Sequence, residues 1–546
     1  MSALTLTFQK LNVRLISALL LISLILTPVW GATPQVDLPT VEVIVQGYDV
    51  ATVKALVHAV GGVITHELGL INAVGAQLST AQQNALQGKA GITKIYASRR
   101  LEVAGPVGPD TIYPTIVGAD QLHLQGVTGA GVTVAVLDTG YWGQAALNKN
   151  TANAWRVLAQ YDAVVNQVVA SGTTSVSNDG SGHGTHVTSI ILSANPTSRS
   201  GAYQGIAPDA NLVSVKAFDA NGAGSYPDVI RGIDWVVANK IKYNIRVLNL
   251  SFSAPPHSYY WDDPLNQAVM RAWQAGIVVV AAAGNTGPNV MTIGVPGNVP
   301  YVITAGAFSD NYTPTNLTDD RLASFSAAGP TVEGFVKPEV VAPGGHMLGM
   351  MSFNTQIAVA HPEFHDSQKY FTMSGTSQAT AVASGIVALM LQKNPLLTPD
   401  QVKYRLMASA RPAVDSNGQL ASSLFQQGAG QVNAYDAVTG TYVGLANVGL
   451  DVTADLAGSQ HFGGPANQDS DGNYYIMGTD GYAWSGGYTW SNGYAWSNGY
   501  AWSNGYAWSN GYTWSNGYAW SNGYAWSNGY AWSAAATAIN TWVLQE

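Results

Sequence analysis

A serine hydroxyl is a poor nucleophile near neutral pH. It needs an adjacent base, and the base needs an acid to orient it. Three segments of this 546-residue chain supply those residue types in the order acid, base, nucleophile. Asp138 closes the apolar run Val134-Ala135-Val136-Leu137 and is followed by Thr139-Gly140. His183 lies in Ser181-Gly182-His183-Gly184-Thr185-His186-Val187, whose glycines let the backbone approach closely. Ser377 lies in Met373-Ser374-Gly375-Thr376-Ser377-Gln378-Ala379-Thr380, ahead of an apolar helix from Val382 to Leu391. Each segment also has a plainer reading. Asp-Thr-Gly is a motif of aspartic proteases, but that chemistry needs two carboxylates sharing a proton, and no second Asp-Thr-Gly or Asp-Ser-Gly exists. His183 and His186 lack the i, i+4 spacing of a zinc pair, and no His-Glu-x-x-His occurs, so His186 reads as a hydrogen-bonded structural histidine. Ser377 by itself would be a helix cap. The combination outweighs that reading.

Those residues need a frame. From about Thr111 to Val438, strand-like and helix-like patterns alternate, which argues for a mostly parallel sheet covered on both faces. Val132–Leu137, Leu212–Lys216, Val247–Leu250, Val278–Ala283 and Val302–Ala305 are the near-continuous apolar runs of such strands. Helices are expected at His183–Ser193, Tyr226–Asn239, Pro264–Ala275 and Thr376–Lys393. Sites in open α/β sheets form beyond the carboxyl ends of strands, where the three segments fall. Ahead of this region, residues 41–104 carry their own βαββαβ pattern, that of a small ferredoxin-like module, with Ser79 as N-cap of its second helix.

Composition bounds the setting. The net charge is −9 with 10% charged residues, which leaves no basic stripe for nucleic acid. Cysteine is absent, so no disulfide or thiolate chemistry is available. Residues 1–32 read as a cleaved export signal: Lys10 and Arg14, then the apolar run Leu15–Leu26, then the small residues Gly31 and Ala32. That run is short for a span of roughly 30 Å of hydrocarbon. A secreted, extracellular protein is the expectation, and association with a cell surface is compatible with it.

Val-Ala-Val-Leu-Asp-Thr-Gly, Gly-His-Gly-Thr-His-Val, Ala-Ala-Ala-Gly-Asn and Ser-Gly-Thr-Ser-Gln-Ala-Thr together resemble the four signature segments of the subtilases, and the order Asp, His, Ser is subtilisin's own. The resemblance implies a subtilisin-like three-layer α/β domain over 105–440 and a serine endopeptidase that needs no cofactor for its chemistry. It implies that Ser377 attacks the scissile carbonyl, that His183 shuttles the proton, and that Asp138 holds the imidazole tautomer. Asn285 and the Ser377 N–H would hold the oxyanion. Substrate proteins would bind as an extended strand between Gly222-Ala223-Gly224 and Ser251-Phe252-Ser253. Ala282, Ala283 and Gly284 would line the primary pocket and Gly294 its floor, favouring a bulky apolar residue on the acyl side of the cut. This chain departs from the family at Ser253 and Ala254, where glycines are usual, and at Gln378 and Thr380, where methionine and proline are usual. Val295-Pro296-Gly297 matches a family cis-proline. Residues 41–104 would be an inhibitory propeptide, with Ala97–Pro106 threading the active site and being cut autocatalytically.

Three expectations lie further out. Structural calcium is typical of the family, and Asn467, Asp469 and Asp471 have the oxygen spacing that begins a calcium loop, although no closing acid follows. Residues 441–480, rich in Gly, Asp and Asn, read as a linker. Over 481–533 the hexad Gly-Tyr-Ala-Trp-Ser-Asn repeats nine times, with small variations and without charge, before a short tail, 534–546. In an extended chain Tyr, Trp and Asn of each hexad share one face. Carbohydrate or cell-surface binding, a low-complexity tail and self-association are all compatible with that pattern. A rival to the enzyme reading is an adhesin that uses the protease domain as a scaffold; the intact Asp138, His183, Ser377 and Asn285 set speaks against it.

Overall fold

A computed structural model describes residues 40–98, 100–102, 113–197, 201–313, 316–414, 419–469, 471–476 and 543. The expected export signal and the hexad repeat lie outside the described residues, as do 534–546 apart from Val543 and the end of the expected threading segment, 103–106. From Glu42 on, the described residues form one compact unit. Among them, no helix is long and apolar enough to cross a membrane.

The N-terminal elements are β1 (Thr40–Gly47), α1 (Val50–Ala59), β2 (Val63–Leu68), β3 (Ala73–Ser79), α2 (Thr80–Leu86) and β4 (Ile92–Ala97), in a sheet of order β2-β3-β1-β4. Ser79 and Gln82 form a reciprocal capping box at the start of α2. The two-residue period of the strands sorts the side chains. Val43, Val45, Val74 and Ala76 face the module's own helices, whereas Ile44, Leu68, Ile71 and Ala73 join the core of the main domain. The second face packs on two helices that follow in the chain. Polar contacts seal the seam: Gln46 Nε2 to Gln267 Oε1 at 2.6 Å, His66 Nε2 to Asp228 Oδ1 at 2.7 Å and Lys94 to Asp262 at 3.1 Å. A short strand, β5 (Arg100–Glu102), leaves the module.

The main domain is built from β6 (Thr133–Asp138), β7 (Val157–Asp162), β8 (Gln167–Ser171), α3 (His183–Leu192), β9 (Asn211–Lys216), β10 (Ala223–Ser225), α4 (Tyr226–Tyr243), β11 (Ile245–Leu250), α5 (Pro264–Gln274), β12 (Val278–Ala282), β13 (Ile303–Ser309), β14 (Arg321–Leu322), β15 (Val340–Pro343), β16 (Met347–Met350), β17 (Tyr370–Met373) and α6 (Thr376–Lys393). Strands β7-β9-β6-β11-β12-β13-β15 run parallel, with β8 antiparallel at one edge and β14 antiparallel on β13. Helix α3 packs against α6, and α4 against α5. The predicted apolar runs are these central strands, buried on both faces as a covered parallel sheet requires.

One buried arginine closes a corner of the fold. Arg156 donates to the carbonyls of Leu147, Pro208, Ala146 and Lys149 at 3.0, 2.7, 2.6 and 2.6 Å. The stretch 441–480 is not a linker over its described part. Asp451 caps α7 (Val452–Leu456), and the buried Asp455 accepts from Tyr260 and Tyr301 at 2.5 and 3.0 Å. Strands β18 (Ala466–Gln468) and β19 (Tyr474–Ile476) form a hairpin whose Ala466 and Ile476 join the main core, as does Val543. The Gly, Asp and Asn that suggested a linker are the caps and turns of these short elements.

Candidate active site

Asp138 ends β6 between β9 and β11, in the middle of the sheet. Its Oδ1 accepts from His183 Nδ1 at 2.8 Å and from the Thr139 amide at 2.7 Å. Both the carboxylate and the imidazole are completely buried. His183 is the first residue of α3, and its Nε2 has no partner among the described residues. A bare imidazole nitrogen whose sister nitrogen is held by a carboxylate is the arrangement of a general base.

The loop before α3 is shaped by contacts that only glycine permits. Gly182 has φ +97°, and a Cβ there would lie 2.6–2.8 Å from Thr355 and Met351. Asp179 organises the entry. One of its oxygens accepts from the amides of Ser181 and Gly182 and the hydroxyl of Thr139, the other from the amide and hydroxyl of Thr185. Sequence reasoning missed Asp179, although an Asp just before a glycine-rich helix start is a capping signal. His186 is the structural histidine it was expected to be. Its Nε2 lies 3.0 and 3.1 Å from the carbonyls of Phe371 and Met347, and burial, aided by His183, pulls its imidazole down to about 3.

Ser377 sits in the first turn of α6, where backbone amides have no intrahelical acceptor. Asn285 Oδ1 accepts from the amide and hydroxyl of Thr376 at 3.0 and 2.8 Å. That pair holds the carboxamide in one orientation and leaves Asn285 Nδ2 buried without a partner among the described residues. Ser377 Oγ donates to the Ser251 carbonyl at 2.9 Å, so hydroxyl and imidazole are not hydrogen-bonded to each other in this structure. Behind them a buried relay runs from Ser384 to Asn249 to Ser251 to the Ser377 carbonyl, at 2.9, 2.8 and 2.9 Å. Asn249 was not singled out from sequence; a polar residue inside the apolar run Val247–Leu250 is its only trace.

Of the two expected substrate edges, the stretch after β11 is tied to Ser377 through Ser251. Strand β10 pairs antiparallel with β5, Ala223 opposite Glu102 and Ser225 opposite Arg100. Ser251, Phe252 and Ser253 continue from β11, with Phe252 buried 5.0 Å from Phe218. Gly294 donates to the Ala283 carbonyl, and Val295 bridges Ala254 ahead of a cis peptide to Pro296. A Cβ on Gly284 or on Gly294 would lie 3.1 or 2.9 Å from the Ser253 side chain. The proposed wall and floor thus converge, and Ser253 stands between them.

Two of the three calcium-candidate residues already use side-chain oxygens in hydrogen bonds. Asp469 Oδ1 accepts from the amides of Asp471 and Asn473 at 3.0 and 2.8 Å, and its Oδ2 faces Asn473 Nδ2 at 3.3 Å. Asn467 likewise accepts from the Gln468 amide at 2.8 Å. These residues shape the β18–β19 turn, and among the described residues no group of three or more His, Cys, Asp or Glu could hold a metal.

The family model described as the subtilase family matches residues 129–430. The chain belongs to the subtilase family. It is 37% identical over 380 residues to the serine protease AprX of Bacillus subtilis, covering 68% of this chain and 80% of that one. It is 32% identical over 303 residues to subtilisin DY of Bacillus licheniformis, covering 55% and 91%. The crystal structure of fervidolysin from Fervidobacterium pennivorans, a keratinolytic enzyme related to subtilisin, aligns with a TM-score of 0.58 and 24% identity over 76% of this chain and 64% of that one, a likeness of fold. This subtilase is a serine endopeptidase acting on protein substrates, and its family's catalysis needs no cofactor.

Proposed function

We propose that this subtilase cuts internal peptide bonds with Ser377 as nucleophile, His183 as general base and then acid, and Asp138 as the group that orients and stabilises the imidazolium. The observation that carries the reading is the His183 ring, tied by Nδ1 to Asp138 and bare at Nε2 among the described residues, on a helix packed against the one that carries Ser377. Attack needs the Ser377 hydroxyl to turn from the Ser251 carbonyl to His183 as substrate enters. Oxyanion charge would fall to Asn285 Nδ2, buried without a partner among the described residues, and to the Ser377 N–H in the first turn of α6. Peptide substrate would add a strand beside β10, with an apolar acyl-side residue seated between Gly284 and Gly294 and trimmed by Ser253. The antiparallel seat of β5 on β10 supports residues 41–104 as an inhibitor of their own chain, released by self-cleavage after export. Casein hydrolysis tests the mechanism. It should be blocked by a serine-directed fluorophosphonate and lost in Ser377→Ala; undiminished hydrolysis by that variant sinks it.

A further inference from the structure

Gln378 is fully buried and follows the nucleophile directly, yet the mechanism above gives it no task. Its orientation is set from behind. His186 Nε2 faces two carbonyls, which only accept, so that nitrogen carries the hydrogen. Burial keeps the ring neutral, which leaves His186 Nδ1 a lone pair in need of a donor. Gln378 Nε2 lies 3.4 Å from it and is the group placed to donate. The carboxamide oxygen therefore points the other way. It is buried and has no partner among the described residues. A Cβ placed on Gly375 would lie 2.7 Å from this oxygen, 3.3 Å from Asn285 Nδ2 and 3.7 Å from the Ser377 amide nitrogen. Gln378 Oε1, Asn285 Nδ2 and the Ser377 amide nitrogen thus all lie within 4 Å of one point beside Gly375.

An acceptor cannot bond an oxyanion; it requires a hydrogen. Around the tetrahedral carbon stand the acyl chain, the oxyanion, Ser377 Oγ and the leaving or attacking group. Of the heteroatoms bonded to that carbon, only the last carries hydrogen to offer. We propose that Gln378 Oε1 accepts a hydrogen bond from that fourth group: the N–H of the scissile amide during acylation, and the attacking water during deacylation. The proposal rests on the triad reading given above. In deacylation the water oxygen bonds to the acyl carbon while one proton passes to His183 Nε2, and the second stays in the bond to Gln378. Collapse expels Ser377 Oγ, which takes its proton back from His183. Glutamine here turns an apolar flank of the nucleophile into an aimed acceptor.

The test uses a matched peptide p-nitroanilide and p-nitrophenyl ester, with the full chain and its Gln378→Met and Gln378→Leu variants. Active sites are titrated with a fluorophosphonate, so that only competent enzyme is counted. The anilide leaves with an N–H and the ester without one. Loss of one hydrogen bond should lower kcat/KM for the anilide by roughly fivefold, and single-turnover deacylation by a similar factor, while kcat/KM for the ester stays unchanged. A merely structural glutamine would lower both substrates together. An equal fall for anilide and ester, or no change in either, overturns the proposal. Failure of the unmodified chain to label at Ser377 overturns the triad reading, and this proposal with it.

Discussion

Two buried polar clusters lie on the same sheet and are treated in opposite ways. Beside β15, Lys337 donates to the Val302 carbonyl, Thr304 Oγ1 and Glu339 at 3.1, 3.0 and 2.9 Å. Lys403 reaches Pro300, Asn447 and Glu339 at 2.7, 3.0 and 2.8 Å, and the Thr304 amide adds a bond to Glu339 at 2.8 Å. These charges are bonded to saturation. In the cleft, Asp138 Oδ2, His183 Nε2, Asn285 Nδ2 and Gln378 Oε1 are equally buried but lack a partner among the described residues. Buried polar atoms are ordinarily satisfied, so unsatisfied ones on the proposed acid, base and oxyanion donor and on the residue after the serine need a cause. In the proposed mechanism the missing partners of His183 Nε2, Asn285 Nδ2 and Gln378 Oε1 are the serine, the substrate and the water that follows it.

Cutting into each cluster should have a different consequence. Asp138→Asn leaves the shape of the cleft but presents an amide to His183 Nδ1 and favours the wrong tautomer. The expected fall in kcat is about 10⁴-fold, a magnitude taken from the serine-protease triad generally, with thermal stability little changed; a loss of only a few-fold would break the comparison. Glu339→Gln should do the reverse. It removes the shared counter-charge of Lys403 and of Lys337, whose ammonium burial already pulls down to about 7, at a cost of ~3–5 kcal/mol in denaturant unfolding. Turnover per titrated active site should stay at the wild-type level, and a matching loss of turnover would show that the two clusters are not separate. For His186 the expected effect is a slope with pH rather than a single loss. Its folded-state pKa lies below that of the unfolded chain, so between about pH 6.5 and pH 3 the unfolded state binds a proton that the folded state refuses. That contribution to stability is present above the window and declines as pH falls through it, by up to about 1.4 kcal/mol per pH unit. Unfolding midpoints of His186→Asn should fall less steeply with acid than those of the parent; parallel curves would contradict the assignment.

The cleft was legible in the sequence because each of its parts is local. Asp138 ends an apolar strand run, His183 and Ser377 follow glycines at helix starts, and Asn285 sits in a glycine turn. The central strands were legible for a related reason, since burial on both faces leaves little but Val, Ile, Leu and Ala. What stayed hidden depends on partners far away in the chain. Asn249 matters because Ser251 and Ser384 meet it, and Gln378 because His186 dictates which way its amide turns. The docked stretch after residue 441 was misjudged from composition. Its anchor, Asp455, finds its tyrosines 154 and 195 residues away, a pairing that no local pattern encodes.

Arg156 carries a consequence of another kind. Four carbonyl oxygens from 146–149 and 208 converge on one guanidinium, much as they would on a captured metal ion. This cation, however, is covalently part of the chain. Dilution cannot strip it, a chelator cannot compete for it, and its local concentration never changes. That corner of the protein therefore keeps its shape regardless of the ionic make-up of the medium around it.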